Sequence, residues 1–171
     1  MIKHIKHQLP ADVLRSLYFT LINPYIDYCN MVWAHGSSTA INKLFLIQKR
    51  AIRIVSNSSW DAHTAPLFKK LHILTISELN KLQIACFMYR INNNMVPSFF
   101  SNMFCVNSNV HYHYTRQSKN YHINSCRTTL LRKTLRISGA ILWNSLDINI
   151  RTVPSLSTFK KQYKALLINS N

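Results

Sequence analysis

Acidic residues are scarce in this chain: 5 Asp+Glu stand against 21 Lys+Arg, which gives a formal net charge of +16. The five acids are Asp12, Asp27, Asp61, Glu78 and Asp147, and no two are closer in sequence than the first pair. The chain therefore offers no neighbouring carboxylates that would hold catalytic metal ions. Such a basic balance is typical of proteins that bind polyanions.

Other absences exclude further classes of protein. The chain has only 2 Gly, so it contains no glycine-rich phosphate loop, and no Gly-x-Ser-x-Gly hydrolase motif occurs. No stretch of 18 uncharged apolar residues is present, and the basic N-terminus lacks the long apolar run of a signal peptide. We therefore expect no membrane partner and an intracellular, reducing compartment, in which the four cysteines are thiols.

Apolar residues make up 47% of the chain, which is enough for a packed core, and their spacing is mostly helical. Leucines and tyrosines recur at helical spacing between residues 14 and 28, where Pro24 kinks or splits the segment. Thr75 and Glu78 form a capping box that opens a core helix reaching about Asn92. Pro154 and Ser155 open an amphipathic terminal helix.

The clearest amphipathic helix spans roughly residues 39–56. One side is expected to carry an apolar face and the other a cationic face. The apolar face comprises Ile41, Leu44, Ala51 and Val55, and the cationic face comprises Lys43, Lys49, Arg50 and Arg53. Two interpretations stay open for the cations: an ordinary solvated face, or a strip that contacts a nucleic-acid backbone.

The period changes in the second half, which carries 11 Lys+Arg against 1 acid over residues 86–171. Residues 106–136 hold short runs of Val, Tyr, Thr, His and Ile, which favour extended segments or a small sheet. Residues 139–146 favour a short buried helix around Trp143. The predicted fold is therefore mainly α, with a small extended or β segment before the terminal helix.

Several motifs, in this order along the chain, resemble the thumb region of reverse transcriptases from LINE-type (non-LTR) retrotransposons. They are LYFTLINPYIDYC (17–29), VW (32–33), LIQKRAIR (46–53), AHTAPLF (62–68), FMYR (87–90), YTRQ (114–117), CRT (126–128), LWNSL (142–146) and FKK (159–161). The resemblance covers residues 9 to 167. It implies a helical thumb-like region over residues 1–95 and a basic C-terminal extension over residues 96–171.

The resemblance also implies a function. Thumb helices of this family grip the template–primer duplex, whereas palm aspartates of an aromatic-Ala-Asp-Asp motif bind Mg²⁺. That motif is absent from this chain, so we expect no catalysis by the chain alone and no cofactor in it. The expected partners are RNA, RNA/DNA hybrid and the missing palm and fingers, within a nuclear or cytoplasmic ribonucleoprotein. The alternatives are an independent basic RNA-binding or interaction module derived from a retroelement, and a non-functional pseudogene product.

The predicted phosphate contacts fall in two groups. The first is the cationic face of residues 39–56, and the second is a set of cations in the extension: Arg116, Arg127, Arg132, Lys133 and Arg136. Tyrosines 112, 114 and 121 would either stack on unpaired bases or pack within a sheet.

A separate cluster of metal-ligating residue types lies in the extension, comprising Cys105, His111, His113, His122 and Cys126. Thiolate and imidazole suit tetrahedral zinc, and some members of the resembled family carry a Cys/His motif near their C-terminus. The spacing contains no Cys-x2-Cys pair, and two histidines separated by one residue point to opposite faces of a strand. The sequence therefore predicts no metal site, and these five residues are only weak candidates for zinc ligands.

Overall fold

The computed structural model describes residues 6–111, 113 and 115–169. Within these residues the chain is mainly helical, as predicted, and ends in a helix. The helices are α1 Ala11–Leu21, α2 Asn23–Asp27, α3 Asn30–Trp33, α4 Ser38–Val55, α5 Ala65–Leu71, α6 Ile76–Asn92, α7 Ser98–Ser101, α8 Thr129–Lys133, α9 Leu135–Ser145, α10 Ile148–Arg151 and α11 Leu156–Asn169, with a 3-10 turn at Asn107–Asn109.

The chain divides into two compact units. Unit 1 comprises Met1–Asn80 and Lys164–Asn171, and unit 2 comprises Lys81–Tyr163. The division predicted after residue 95 is the one that the family resemblance implies, whereas the compact units divide within α6. This difference arises because most of α6 contributes its apolar side chains to the core of unit 2.

The core of unit 1 forms where α1, α4 and α5 pack together. Its buried members are Leu14, Tyr18, Ala51, Ile52, Val55, Phe68, Leu71 and Ile73. Pro24 splits the N-terminal helical segment: α1 ends at Leu21, and α2 begins with Pro24 in its first turn. The spacing of leucines and tyrosines therefore continues across two helices.

Gln48 is a buried polar residue of unit 1, and its side chain is only 1% exposed. Its Nε2 donates to the Tyr18 hydroxyl at 3.0 Å and to the Leu74 carbonyl at 2.9 Å, while its Oε1 accepts from the Ile76 N–H at 3.1 Å. A buried amide is tolerated when its hydrogen bonds are satisfied. Gln48 thus ties α4 to α1 and to the start of α6.

The capping box at the start of α6 is confirmed. The Thr75 N–H donates to Glu78 Oε2 at 2.7 Å, and the Glu78 N–H donates to Thr75 Oγ1 at 3.4 Å. These two bonds satisfy donors that the first turn of a helix leaves without partners. The only glutamate of the chain therefore has a structural role.

Unit 2 has an aromatic core. The rings of Tyr89 and Phe159 lie 4.8 Å apart, Trp143 packs against both, and the Tyr89 hydroxyl donates to the Val153 carbonyl at 2.7 Å. Gly139 lets α9 approach α6 closely, because a Cβ at this position would lie 2.9 Å from Met88 Sδ. The predicted buried helix around Trp143 is therefore present, as part of the longer α9.

The small sheet predicted between residues 106 and 136 is reduced, in the described residues, to one antiparallel bridge between Val106 and Tyr121. Residues 129–133 are helical, and α9 begins at Leu135, so the extended structure predicted up to residue 136 is wrong for this stretch. Its physical reason is local: the Thr128 hydroxyl accepts from the Leu131 N–H at 3.2 Å and caps a helix.

The terminal helix α11 begins as predicted. The Ser155 hydroxyl accepts from the Thr158 N–H at 3.2 Å, which caps its first turn. Phe159 and Tyr163 are buried, whereas Lys160 and Lys161 are exposed. Across the described residues, every helix is too short or too polar to cross a membrane.

Candidate nucleic-acid interface

The faces of α4 differ in part from the predicted ones. Ala51 and Val55 are buried as expected, but Leu44 is 42% exposed, because the helix turns Gln48 and Ile52 inward. Because Gln48 is buried, the inner face of α4 is rotated away from the apolar face that the sequence predicts. Leu44 therefore lies on the solvent side of α4, together with cations.

The four predicted cations of α4, hereafter the α4 surface, form two pairs, of which one is exposed and the other is held by contacts within unit 1. Lys43 and Arg50 are exposed. The Lys49 ammonium lies over the Phe45 ring, 4.4 Å from its centroid, and Arg53 Nε donates to the Ala62 carbonyl at 2.9 Å. Contacts of this kind restrict the side-chain rotamers before any ligand arrives.

Arg53 also fixes the loop that follows α4. The Ser58 N–H donates to the Arg53 carbonyl at 2.9 Å and the Asn57 N–H to the Ile54 carbonyl at 3.2 Å, with Asn57 left-handed at φ 51°. This pattern is a Schellman motif, which ends a helix and reverses the chain. The loop consequently runs back beside α4, where the bond from Arg53 to Ala62 holds it.

A groove of about 730 Å³ lies between α4 and this loop. Trp60, whose side chain is 86% exposed, forms part of its wall. We call it the Trp60 groove, and its lining comprises Lys6, Leu46, Arg50, Arg53, Ile54, Ser58, Trp60 and Asp61. It combines an aromatic face, apolar side chains and three cations with one acid.

Asp61 is the one acid among the lining residues. The Ser59 hydroxyl donates to its carboxylate, and this bond, with the nearby charge of Arg53, holds the pKa of Asp61 below its ordinary value. The carboxylate is therefore ionised at neutral pH. Because it repels other anions, a phosphate in the groove is favoured on the side of the cations.

The predicted cations of the extension separate into a group and a single residue. Arg127, Arg132, Lys133 and Arg136 lie on or beside α8 and the first turn of α9, and all four are exposed. We call this group the 127–136 surface. None of its side chains makes a hydrogen bond to another described residue. Arg116 is exposed in a separate turn and does not belong to this group.

The weak zinc candidates come together only in part. His111, His113 and His122 line a groove of about 490 Å³, whereas Cys105 and Cys126 do not line it. His122 Nδ1 lies 3.2 Å from Asn107 Oδ1, and the His111 and His122 rings meet edge to face at 6.0 Å. Over the described part of the chain, no three His, Cys, Asp or Glu residues are placed to hold a metal ion.

The tyrosines proposed to stack on bases have different outcomes. Tyr121 is buried, and its ring packs against Phe104 at 5.7 Å, so it contributes to the core rather than to a binding surface. Burial also raises the pKa of Tyr121. Tyr112 and Tyr114 lie outside the described residues.

Of the residues that line the Trp60 groove, only Arg50 and Arg53 were predicted from the sequence. Trp60 closely follows a basic helix in the sequence, and this is a signal that could have been used. Lys6 reaches the groove from the N-terminal segment, and no local pattern links it to α4.

No family model, curated protein or solved structure matches this chain. The resemblance to LINE-type reverse transcriptases consequently rests on the sequence motifs alone.

Proposed function

We propose that this chain is the nucleic-acid-binding C-terminal part of a non-LTR retrotransposon reverse transcriptase. It would grip template–primer RNA/DNA through basic helices, and catalysis would require the palm, where the parent polymerase would use Mg²⁺. Its expected setting is a nuclear or cytoplasmic ribonucleoprotein. The observation that carries the proposal is the net charge of +16 together with the exposed cations of the α4 and 127–136 surfaces.

The positions of these cations fit a polyanion that extends beyond one side chain. Lys43 and Arg50 are two helical turns apart on α4, and both are exposed. Residues seven positions apart lie on nearly the same side of a helix, about 10 Å apart along its axis. Such a row suits successive phosphates better than a single small anion.

Three large apolar side chains exposed within a short segment of unit 1 support the view that a partner is missing. Tyr25, Tyr28 and Val32 are 83%, 77% and 74% exposed, respectively. Large apolar side chains that are exposed together often mark protein interfaces. In the proposed setting this surface would meet the palm or fingers of the polymerase.

The proposal is tested by fluorescence anisotropy with an RNA–DNA hybrid over a series of salt concentrations. The test variant is Lys43/Lys49/Arg50→Gln, which retains Arg53 because that side chain also holds the loop. A matched control, Lys81/Lys160/Lys161→Gln, removes three charges elsewhere on the exposed surface. Each lost phosphate contact should lower the salt slope by about 0.9.

The outcomes separate the proposed function from its alternatives. A steep slope that flattens in the test variant but less in the control, with the hybrid preferred over single-stranded RNA and duplex DNA, supports a thumb. Preference for single-stranded RNA favours an independent RNA-binding module. Weak binding that is the same in the test variant and in the unmodified chain contradicts the assignment of phosphate contacts to α4. An in-frame aromatic-Ala-Asp-Asp motif upstream would independently support the parent polymerase.

A further inference from the structure

We infer that the Trp60 groove binds one unpaired nucleotide of a single strand, with its base on the Trp60 ring and its phosphate at the α4 cations. The inference rests on the proposed function, since it names a ligand for the same surface. It differs in its target, because duplex phosphates can be gripped without any exposed base.

The exposure of Trp60 is the first reason. Tryptophan is the largest apolar side chain and is highly buried on average, yet this ring is 86% exposed. The backbone of the loop that carries this ring is held at both ends, by the Schellman turn after α4 and by the bond from Arg53 to the Ala62 carbonyl. A solvent-facing ring on a loop that is already ordered spares a planar ligand the entropic cost of ordering that loop.

The composition of the groove is the second reason. Its volume of about 730 Å³ lies within the range of ~300–1,000 Å³ that is usual for small-molecule sites. Leu46 and Ile54 add apolar surface beside the ring, and Arg50, Arg53 and Lys6 supply positive charge. Single-stranded nucleic acids are bound by this combination of aromatic platforms and cations.

Asp61 gives the bound nucleotide a direction. Its ionised carboxylate repels phosphate but accepts hydrogen bonds from the amino or imino groups at the edge of a base. The phosphate is therefore expected on the side of Arg50. A free inorganic anion would be attracted by the cations, but it has no base that could stack on Trp60.

The first experiment compares two RNA–DNA hybrids of the same sequence, one blunt and one with a four-nucleotide RNA overhang. The variants are Trp60→Ala, Trp60→Phe and the control Trp33→Phe. The Trp33 ring is partly buried, and its Nε1 donates to the Tyr28 carbonyl. We expect Trp60→Ala to weaken binding of the overhang substrate about 5- to 150-fold, the usual range for loss of one stacked base. Blunt binding should change less than about twofold in this variant, because backbone contacts remain.

Trp60→Phe should retain much of the overhang affinity, since a phenyl ring still stacks, and Trp33→Phe should retain all of it. The melting midpoint of Trp60→Ala should equal that of the unmodified chain, because the side chain is exposed. Equal weakening of blunt and overhang substrates, or unchanged overhang binding by Trp60→Ala, overturns the inference.

A second experiment needs no duplex. A single-stranded RNA hexanucleotide should quench the tryptophan fluorescence of the unmodified chain and quench that of Trp60→Phe much less. If the blunt hybrid does not bind but this difference appears, the proposed function fails and the groove remains a nucleotide site. If the hybrid binds but the quenching is the same in both proteins, only the groove inference fails.

Discussion

On the α4 surface, Lys49 and Arg53 are held by an aromatic ring and a carbonyl of unit 1, whereas the cations of the 127–136 surface contact no described acceptor. Held cations lose less conformational entropy on binding, so they suit a ligand of defined geometry. Cations that remain free adapt to many phosphate positions, and their contribution is mainly the release of counterions. The two surfaces therefore suggest a division between positioning and general attraction.

The helices that carry the two surfaces also differ, because α4 is packed more firmly than α8. α4 is an 18-residue helix with its inner face in the core of unit 1, and Gln48 fixes it to two other segments. α8 has five residues, and all of them are exposed. Short helices without buried side chains gain little stability from packing. The α4 surface should therefore be the more rigid of the two.

The largest expected effect comes from removing the support under only one surface. Gln48→Ala leaves the Leu74 carbonyl and the Ile76 N–H buried without partners, so the free energy of unfolding should fall by about 3 kcal/mol or more. Urea denaturation measures this change. The control Gln162→Ala, at an exposed position of α11, should change it by less than about 0.5 kcal/mol. A loss below about 1 kcal/mol for Gln48→Ala would contradict the role given to this amide.

The next effect concerns the free cations. Arg127/Arg132/Lys133/Arg136→Gln should lower the salt slope of hybrid binding by up to about 3.6, because each lost phosphate contact contributes about 0.9. Urea denaturation should show nearly unchanged stability, since these side chains are exposed. The comparison with Lys43/Lys49/Arg50→Gln shows which surface contributes more attraction. A slope that stays unchanged would remove the 127–136 surface from the interface.

The third prediction concerns the loss of stability at alkaline pH that buried tyrosines cause. Burial raises the pKa of Tyr163 from 10.0 to about 12, with a smaller contribution from Cys86. The folded protein then keeps this proton when the unfolded chain has lost it, so stability is complete below pH 10 and falls as pH rises towards 12. The expected loss from this residue is roughly 1 kcal/mol by pH 11.

Chemical denaturation at pH 9 and pH 11 measures this loss, with Tyr163→Phe as the variant that lacks the titrating group. Tyr18 in unit 1 also has a raised pKa, because of its burial, so the unmodified chain should lose stability in both units. Tyr163→Phe should lose less between the two pH values. An equal loss in both proteins would show that Tyr163 does not carry the effect.

Much of this fold could be predicted from local signals. The capping box at Thr75 and Glu78, the split at Pro24 and the cap at Ser155 are short patterns whose partners lie within a few residues. The helix of residues 129–133 was not predicted because its cap, Thr128, is followed by Thr129, and threonines suit a strand as well as a helix cap. Propensity alone does not decide such a segment.

The candidate site was less predictable because its parts are joined by long-range contacts. Gln48 looks like a polar interruption of α4, and only the packing of Tyr18, Leu74 and Ile76 around it reveals a buried role. The Trp60 groove depends on the reversal of the chain after α4 and on the hydrogen bond between Arg53 and Ala62, which lie nine residues apart in the sequence. Charge could be counted from the sequence, but the distinction between held and free cations could not.

The smallest expected effect tests that distinction at two lysines of one helix. Lys49→Met removes a cation that lies 4.4 Å from the Phe45 centroid, so the free energy of unfolding should fall by about 0.5–1 kcal/mol. Lys43→Met removes an exposed lysine and should change stability by less than about 0.5 kcal/mol. Both variants should flatten the salt slope of hybrid binding, which anisotropy measures. If Lys49→Met and Lys43→Met are equally stable, the contact with Phe45 does not hold Lys49, and Arg53 alone is held among the four cations of the α4 surface.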